Sequence, residues 1–119
     1  FTIEPINSHD MPGYFLNDFD LALDILEEVG ADNLGLQFDV YHAQRITGDS
    51  LAAWAKCRLR VRHIQIAGYP GRHEPVGGDI DYPAFFAGLD EEGYRGWVSA
   101  EYFPGQGTTA AGLGWMTGA

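Results

Sequence analysis

The sequence has little positive charge, a single cysteine and no long apolar run. Its 7 lysine and arginine residues stand against 17 aspartate and glutamate residues, so the formal net charge is −10. Nucleic acids and anionic lipid surfaces select basic proteins, and this balance therefore argues against both as partners. No segment approaches the ~20 apolar residues of a membrane-spanning helix, which predicts a protein without a membrane partner.

The lone cysteine, Cys57, excludes an internal disulfide and a cysteine-rich zinc site. This usage is typical of a reducing compartment, so we expect a cytoplasmic protein in which Cys57 is a small apolar residue. The chain also lacks an initiator methionine and a basic-then-apolar leader. Because it opens at Phe1 in what resembles the middle of a strand, we expect the front of a longer protein to be missing.

What the chain does have is an apolar fraction of 45%, typical of a packed core. Short apolar runs predict four strands, at residues 1–6, 34–40, 61–67 and 97–102. Such runs show little alternation and are typical of parallel strands that are covered on both faces. Helical or strand spacing also predicts a core position for several large aromatic residues: Trp54, Trp97, Phe85 and Phe86.

Helical patterns lie between the predicted strands. Apolar residues recur at helical spacing from 19 to 29, with Asn17 as the expected N-cap and Gly30 as the stop. Two further helices are predicted to follow Asp49 and Asp81. Alternating strands and helices predict an α/β fold with a parallel sheet and right-handed crossovers.

Each predicted strand carries a polar residue near its carboxyl end: Glu4, Asp39, Gln65 and Glu101. One βα unit takes ~30 residues, so each of these residues belongs to a successive unit. A single acid at a strand end is more often a turn former or the N-cap of the next helix. In a (β/α)8 barrel, however, the carboxyl ends of the strands converge on one mouth, and four such residues would share a cavity.

Three carboxylates and one amide oxygen are the hard ligands that Mg²⁺ or Mn²⁺ prefers. Grouping the carboxylates without a cation would cost free energy through repulsion and desolvation. The spacing therefore predicts a shared site for a divalent metal.

Nearby residues give weaker signals. A lone histidine just past a strand end, such as His42, is more often structural than catalytic. Arg72 lies on a long loop rich in glycine and proline, where it would either bind a carboxylate or carbonyl oxygen or be solvated. His73 and Glu74 are candidates for capping that loop or ordering Arg72. His63 lies inside a strand, and we expect it to be structural and to point at a neighbouring helix.

Five segments together resemble the hydroxypyruvate isomerases, a group that includes the 2-oxo-tetronate isomerases and belongs to the xylose-isomerase-like TIM barrels. The matching segments, in chain order, are Glu4-Pro5-Ile6-Asn7, Phe38-Asp39-Val40-Tyr41-His42, His63-Ile64-Gln65-Ile66-Ala67-Gly68, Arg72-His73-Glu74-Pro75 and Ala111-Gly112-Leu113-Gly114-Trp115.

The resemblance implies a (β/α)8 barrel of ~250 residues, of which residues 1–119 are the C-terminal half of a single domain, with strands five to eight. It implies that a divalent metal, Mg²⁺ or Mn²⁺, is held by Glu4, Asp39, Gln65 and Glu101. Glu4 and Glu101 would also be the acid–base pair. By the same resemblance, His42 and Arg72 would contact substrate oxygens. Related ketose epimerases usually have histidine as the third ligand, so Gln65 favours the hydroxypyruvate isomerase branch.

The function expected from this resemblance is metal-dependent interconversion of hydroxypyruvate and tartronate semialdehyde through an enediolate. The alternatives are a 2-oxo-tetronate isomerase or a ketose 3-epimerase of the same fold, with a hydroxy-keto acid or sugar as substrate. Outside that class, two alternatives remain. The chain would be a module that binds metal or sugar without turnover, or it would be an inactive half-barrel. Open strand edges would make a half-barrel form homo-oligomers.

Overall fold

The computed structural model describes residues 1–117; residues 118 and 119, the last of the expected domain, lie outside it. All four predicted strands are present, each shorter than expected: β1 (Thr2–Ile3), β2 (Gly35–Asp39), β3 (Val61–Ile66) and β4 (Val98–Ala100). They form one parallel sheet in the order β1-β2-β3-β4. The predicted α/β class is therefore confirmed.

Four α-helices cover one side of this sheet: α1 (Phe19–Val29), α2 (Val40–Thr47), α3 (Ser50–Cys57) and α4 (Tyr82–Glu92). Short 3-10 helices follow at Arg58–Arg60 and Ala110–Thr117. The stop at Gly30 and the caps at Asp49 and Asp81 are confirmed. The first cap is Asp18 and not Asn17, because the Asp18 carboxylate accepts the Asp20 amide at 2.8 Å. Of the helices within residues 1–117, none combines the length and apolar character that a bilayer span requires.

Helix α2 was not predicted, because it begins directly where β2 ends. The Asp39 carboxylate accepts the backbone N–H groups of Tyr41 at 2.9 Å and His42 at 3.4 Å, which caps the helix without any intervening loop. Val40 therefore continues the apolar run of the strand in sequence while it already belongs to the helix in space. This abrupt turn places Asp39 and His42 at the same end of the sheet.

The core lies between the sheet and the helices and is built around a chain of aromatic rings. Phe38 on β2 packs against Phe19 of α1 at 5.2 Å and against Trp54 of α3 at 5.4 Å between ring centroids. Trp54 in turn meets Phe85 of α4 at 5.5 Å. The core positions predicted for Trp54 and Phe85 are confirmed, and Phe86 packs against the core while half-buried.

The opposite face of the sheet is polar, so the expectation that both strand faces are apolar is wrong. Ile64 and Ile66 of β3 are buried in the core, while His63 and Gln65 alternate with them and point the other way. The His63 ring lies 2.9 Å from the Ser99 hydroxyl of β4. His63 thus faces away from the helices, contrary to the prediction.

The core position predicted for Trp97 is also wrong, because its side chain is 82% exposed. It immediately precedes β4, which is an edge strand of this sheet. The residues of β4 are themselves exposed or half-buried, because nothing within residues 1–117 covers this edge as the helices cover β2 and β3.

Candidate metal centre

The four predicted ligands do lie at the carboxyl ends of four successive strands. Glu4 follows β1, Asp39 ends β2, Gln65 is the penultimate residue of β3 and Glu101 follows β4. Potential ligand atoms of Glu4, Asp39 and His42 all lie within 4.8 Å of one another. All four residues therefore lie at one end of the sheet. Gln65 is connected to Glu4 through Gln37, and Glu101 is connected to Asp39 through Arg72.

Asp39 uses its two carboxylate oxygens for different purposes. Oδ1 caps helix α2, whereas Oδ2 faces the site, 3.5 Å from Arg72 Nη2 and 3.9 Å from His42 Nε2. The side chain is fully buried. Burial raises the pKa of Asp39 to about 7; the Arg72 guanidinium opposes this rise and the Glu4 carboxylate adds to it. The residue is thus a helix cap and a site residue at once.

Gln37, which the sequence analysis did not single out, connects two of the predicted ligands. Its Nε2 donates to Glu4 Oε1 at 3.1 Å and to Gln65 Oε1 at 2.9 Å. The spacing could have identified Gln37 as a site residue, because it lies two residues before Asp39 on one strand and both side chains therefore lie on the same sheet face. This single amide holds oxygens from β1 and β3 at a fixed separation.

Arg72 lies inside the site and not in solvent. Its Nη2 is 3.1 Å from Glu101 Oε2 and 3.5 Å from Asp39 Oδ2, so it connects the second and fourth predicted ligands. Its backbone has a positive φ of 60°, a conformation that residues with a Cβ adopt rarely. The guanidinium therefore supplies the positive charge nearest to the crowded carboxylates.

The neighbours of Arg72 anchor its loop to the segment that follows β4. The His73 ring lies 2.8 Å from the Phe103 carbonyl, and the buried Glu74 carboxylate accepts the Gly105 amide at 3.1 Å. Of the two roles predicted for His73 and Glu74, these contacts favour the ordering of Arg72, because they anchor the loop and so place Arg72 opposite Glu101.

The Glu4 carboxylate is the second strongly perturbed group. Burial and the nearby Glu101 charge raise its pKa to about 7, against the opposing effects of Arg72 and Gln37. Its Oε1 accepts from Gln37, while Oε2 accepts no hydrogen bond from any described residue. Asp39 is buried, Glu4 is half-buried and Glu101 is exposed. Carboxylates this close together are costly to ionise without a cation, so this oxygen-rich donor set fits a hard divalent ion.

His42 is buried and lies beside Asp39, at the same end of the sheet. Burial and the Arg72 charge together lower the pKa of its ring to about 4, against the opposing effect of the Asp10 carboxylate, so the ring is neutral at pH 7. Its Nδ1 lies 2.8 Å from the side-chain nitrogen of Asn7. Asn7 stands three residues after Glu4 and was not identified as a site residue from the sequence.

A parallel sheet with polar side chains at the carboxyl ends of four successive strands is typical of barrels built from βα units. The family model described as xylose isomerase-like TIM barrel matches residues 1–119. The chain belongs to this family, and its four strands are consistent with half of a barrel.

Curated relatives confirm the resemblance to hydroxypyruvate isomerases. The chain is 52% identical over 114 residues to the 2-oxo-tetronate isomerase of Cupriavidus necator, and 44% identical over 114 residues to the hydroxypyruvate isomerase of Escherichia coli. Each alignment covers 96% of this chain and 44% of the relative, so the chain spans less than half the length of these proteins.

Among solved structures, one from Brucella melitensis described as an AP endonuclease of family 2 superposes with a TM-score of 0.92 at 41% identity. That match covers 98% of this chain and 45% of the other.

Proposed function

We propose that residues 1–119 form the C-terminal half of a single barrel domain in a metal-dependent isomerase that interconverts hydroxypyruvate and tartronate semialdehyde. The observation that carries the proposal is the cluster of Glu4, Asp39 and His42 at one end of the sheet. Arg72 connects Glu101 to this cluster, and Gln37 connects Gln65 to it. The names of the curated relatives support an isomerase, and the acidic strand ends support the chemistry that such an isomerase needs.

The proposed ligands of the metal are Glu4, Asp39, Gln65 and Glu101, and the proposed ion is Mg²⁺ or Mn²⁺, because every donor atom is a hard oxygen. When bound, the ion would act as a Lewis acid toward substrate oxygens and stabilise the negative charge of an enediolate. The two carboxylates with raised pKa values, Glu4 and Asp39, are the groups whose ionisation the cation would favour.

Two residues would bind and orient the substrate. Arg72 presents a guanidinium at the mouth of the site, which is suited to the carboxylate of a 2-oxo acid. The His42 ring, buried beside Asp39, would hydrogen-bond a hydroxyl or carbonyl oxygen. A substrate with a carboxylate next to its keto group would use both contacts.

Glu4 and Glu101 would move the proton. One removes a proton from C3 of hydroxypyruvate and a proton is delivered to C2, while the hydroxyl proton on O3 passes to O2. The keto group at C2 thereby becomes a hydroxyl and C3 becomes the aldehyde. Glu4 and Glu101 follow the first and last of the four strands, so they would approach the substrate from two sides. No net proton is gained or lost in the isomerisation.

A second candidate substrate is 2-oxo-tetronate. The relative that is named for that reaction is 52% identical to this chain, against 44% for the hydroxypyruvate isomerase. Both substrates carry a carboxylate beside the reacting carbons, so the same residues would serve either one.

The test is solvent exchange followed by proton NMR in D2O. The Mn²⁺-loaded chain is incubated with hydroxypyruvate or 2-oxo-tetronate, and the loss of the proton signal at C3 is timed. We expect exchange to fall about 100-fold or more in Glu101→Gln, as for removal of a general acid or base. Glu28→Gln, an exposed change of the same charge on α1, is the matched control.

The outcomes separate the candidates. Faster exchange with one substrate identifies it, and equal loss of exchange in Glu101→Gln and Glu28→Gln contradicts the two-glutamate scheme. A chain that binds Mn²⁺ but exchanges neither substrate is a binding module or an inactive half-barrel.

A further inference from the structure

The contacts of His42 determine which of its ring nitrogens carries the proton. Nδ1 faces two donors from the same residue: the backbone N–H of Asn7 at 3.3 Å and the Asn7 side-chain Nδ2 at 2.8 Å. Both residues are buried, with 0% exposure for Asn7 and 2% for His42. A ring nitrogen approached by two N–H donors must offer its lone pair, so Nδ1 carries no proton.

The direction of the Asn7 amide is itself fixed by a second pair of contacts. Its Oδ1 accepts the backbone N–H of Asp10 at 2.8 Å, and its Nδ2 also lies 3.2 Å from Asp10 Oδ2. Reversing the amide would set its nitrogen against an N–H donor and its oxygen against a carboxylate. The Nδ2 group must therefore face His42, which removes the usual ambiguity in assigning an asparagine amide.

We propose that Asn7 is a positioning residue that holds His42 with its proton on Nε2, so that His42 faces the site as a hydrogen-bond donor and not as a metal ligand. Nε2 is the nitrogen on the site side, 3.9 Å from Asp39 Oδ2. A nitrogen that carries a proton has no lone pair for a metal, although His42 lies in a cluster whose distances alone suit one.

This assignment refines the proposed function and rests on it for its catalytic meaning. It leaves the metal an all-oxygen set, which favours Mg²⁺ or Mn²⁺ over Zn²⁺. It also gives His42 a fixed direction of donation toward a substrate oxygen that gains negative charge. Asn7 thus acts on the site through His42 and not by touching substrate, as residues beyond the ligands often do.

The first test reads the ring directly. Long-range proton–nitrogen NMR of the metal-free, ¹⁵N-labelled chain distinguishes the two neutral forms and the charged form of each of the 4 histidines. The His42 signals are assigned by their loss in His42→Gln. We expect a proton on Nε2 only. A proton on Nδ1 at pH 7, in either the neutral or the charged ring, overturns the proposal.

The second test reverses the hydrogen bond that Asn7 donates. Asn7→Asp keeps the shape of the side chain but replaces its N–H group, the nearer donor at 2.8 Å, by a carboxylate oxygen that accepts. Only the backbone N–H at 3.3 Å then remains as a donor, so we expect the His42 proton to appear on Nδ1. Asn33→Asp, which adds the same charge at an exposed position, should leave the ring unchanged. If Asn7→Asp keeps the proton on Nε2 alone, the Asn7 side chain does not set the ring, and the proposal fails.

The third test asks whether His42 is a ligand. We expect the Mn²⁺ dissociation constant of His42→Gln to stay within about threefold of that of the parent chain, since no ligand is lost. A rise of about tenfold or more identifies His42 as a ligand and overturns the proposal. The first and third tests need no Asn7 variant, so they remain decisive if Asn7→Asp does not fold. None of the three uses turnover, so a failed exchange assay and a wrong ring assignment are told apart.

Discussion

Arg72 stacks on Tyr41, with its guanidinium carbon 4.9 Å from the centroid of the tyrosine ring. The Tyr41 hydroxyl is anchored in turn by donation to Asp10 Oδ2 at 2.6 Å. One ring therefore holds the loop arginine over the strand ends, and its own position is fixed by Asp10.

Removing the aromatic face should loosen Arg72. We expect Tyr41→Leu to weaken the binding of glycerate, the reduced analogue of hydroxypyruvate, by about fivefold, since a stacked cation contributes ~1 kcal/mol. Tyr41→Phe keeps the ring and loses only the hydroxyl, so its affinity should stay close to that of the parent. Calorimetry of the Mn²⁺-loaded chain measures both. Equal losses in the two variants would show that the hydroxyl, and not the stack, is what matters.

The Gln37 amide should matter for metal affinity more than for folding. Gln37→Met keeps the length of the side chain but cannot donate to Glu4 and Gln65. We expect the Mn²⁺ dissociation constant to rise about tenfold, as for other residues that orient ligands. The denaturation midpoint of the metal-free variant should be little changed. An unaltered dissociation constant would contradict the role assigned to Gln37.

The two raised carboxyl pKa values predict an unusual dependence of stability on pH. Glu4 and Asp39, with pKa values of about 7 in the fold, bind protons there that the unfolded chain has already lost. Their stabilising effect is present at low pH and is lost as pH rises through about 7. His42, whose pKa is lowered to about 4, opposes this below its ordinary value of 6.5. We therefore expect the unfolding temperature of the metal-free chain to fall between pH 6.5 and 8.

Two further measurements bear on this pH dependence. Glu4→Gln removes one of the titrating groups and should flatten the fall in unfolding temperature, while Glu28→Gln should not. Metal binding requires both carboxylates ionised, so Mn²⁺ affinity should rise over the same pH interval. An unfolding temperature that rises from pH 6.5 to 8 in the metal-free chain would refute the prediction.

Two tryptophans that look alike in sequence should differ sharply in their effect on stability. Trp54 is 6% exposed and lies within the aromatic chain, whereas Trp97 is 82% exposed. We expect Trp54→Ala to lower the free energy of unfolding by about 3–5 kcal/mol, and Trp97→Ala to change it by less than about 0.5 kcal/mol. Urea denaturation followed by circular dichroism measures both. Similar losses would show that Trp97 is covered in solution.

Cys57 should be an inert thiol in the folded chain. It is fully buried, and burial raises its pKa to about 11, so almost no thiolate exists at pH 8. We expect its reaction with a disulfide reagent to follow unfolding and to become rapid only in urea. Cys57→Ser should be less stable than Cys57→Ala by about 1–3 kcal/mol, because the serine hydroxyl would be buried in an apolar setting. Fast labelling of the native chain would contradict this placement.

Much of the fold follows from local pattern. The apolar runs and the caps at Asp49 and Asp81 predicted the alternation of strands and helices, because both signals act over only a few residues. Helix α2 was not predicted, because Asp39 ends a strand and caps a helix at once. A strand that runs directly into a helix has no loop residues to indicate where the helix begins. The direction predicted for the His63 side chain was wrong, because the polar residues of this strand were interpreted as interruptions of an apolar run. They form the second face of the sheet.

For the candidate site, strand spacing brought Glu4, Asp39, Gln65 and Glu101 to one end of the sheet, since parallel strands align their carboxyl ends. It did not reveal what connects them. Gln37 and Asn7 act through hydrogen bonds whose partners are about 30 residues or more away in the chain. Such partners are set by strand register and by the turn that follows β1, and no local motif records either.

The division of labour between the two oxygens of Asp39 has a consequence for how this site can change over time. An asparagine would still cap helix α2 through its side-chain oxygen, and asparagine is among the best residues at that position. The negative charge at the centre of the site would nevertheless be gone. Descendants of this fold can therefore lose the chemistry at Asp39 in a single step while keeping the architecture. Asparagine in place of aspartate at this strand end would therefore identify relatives that keep the fold and have lost the activity.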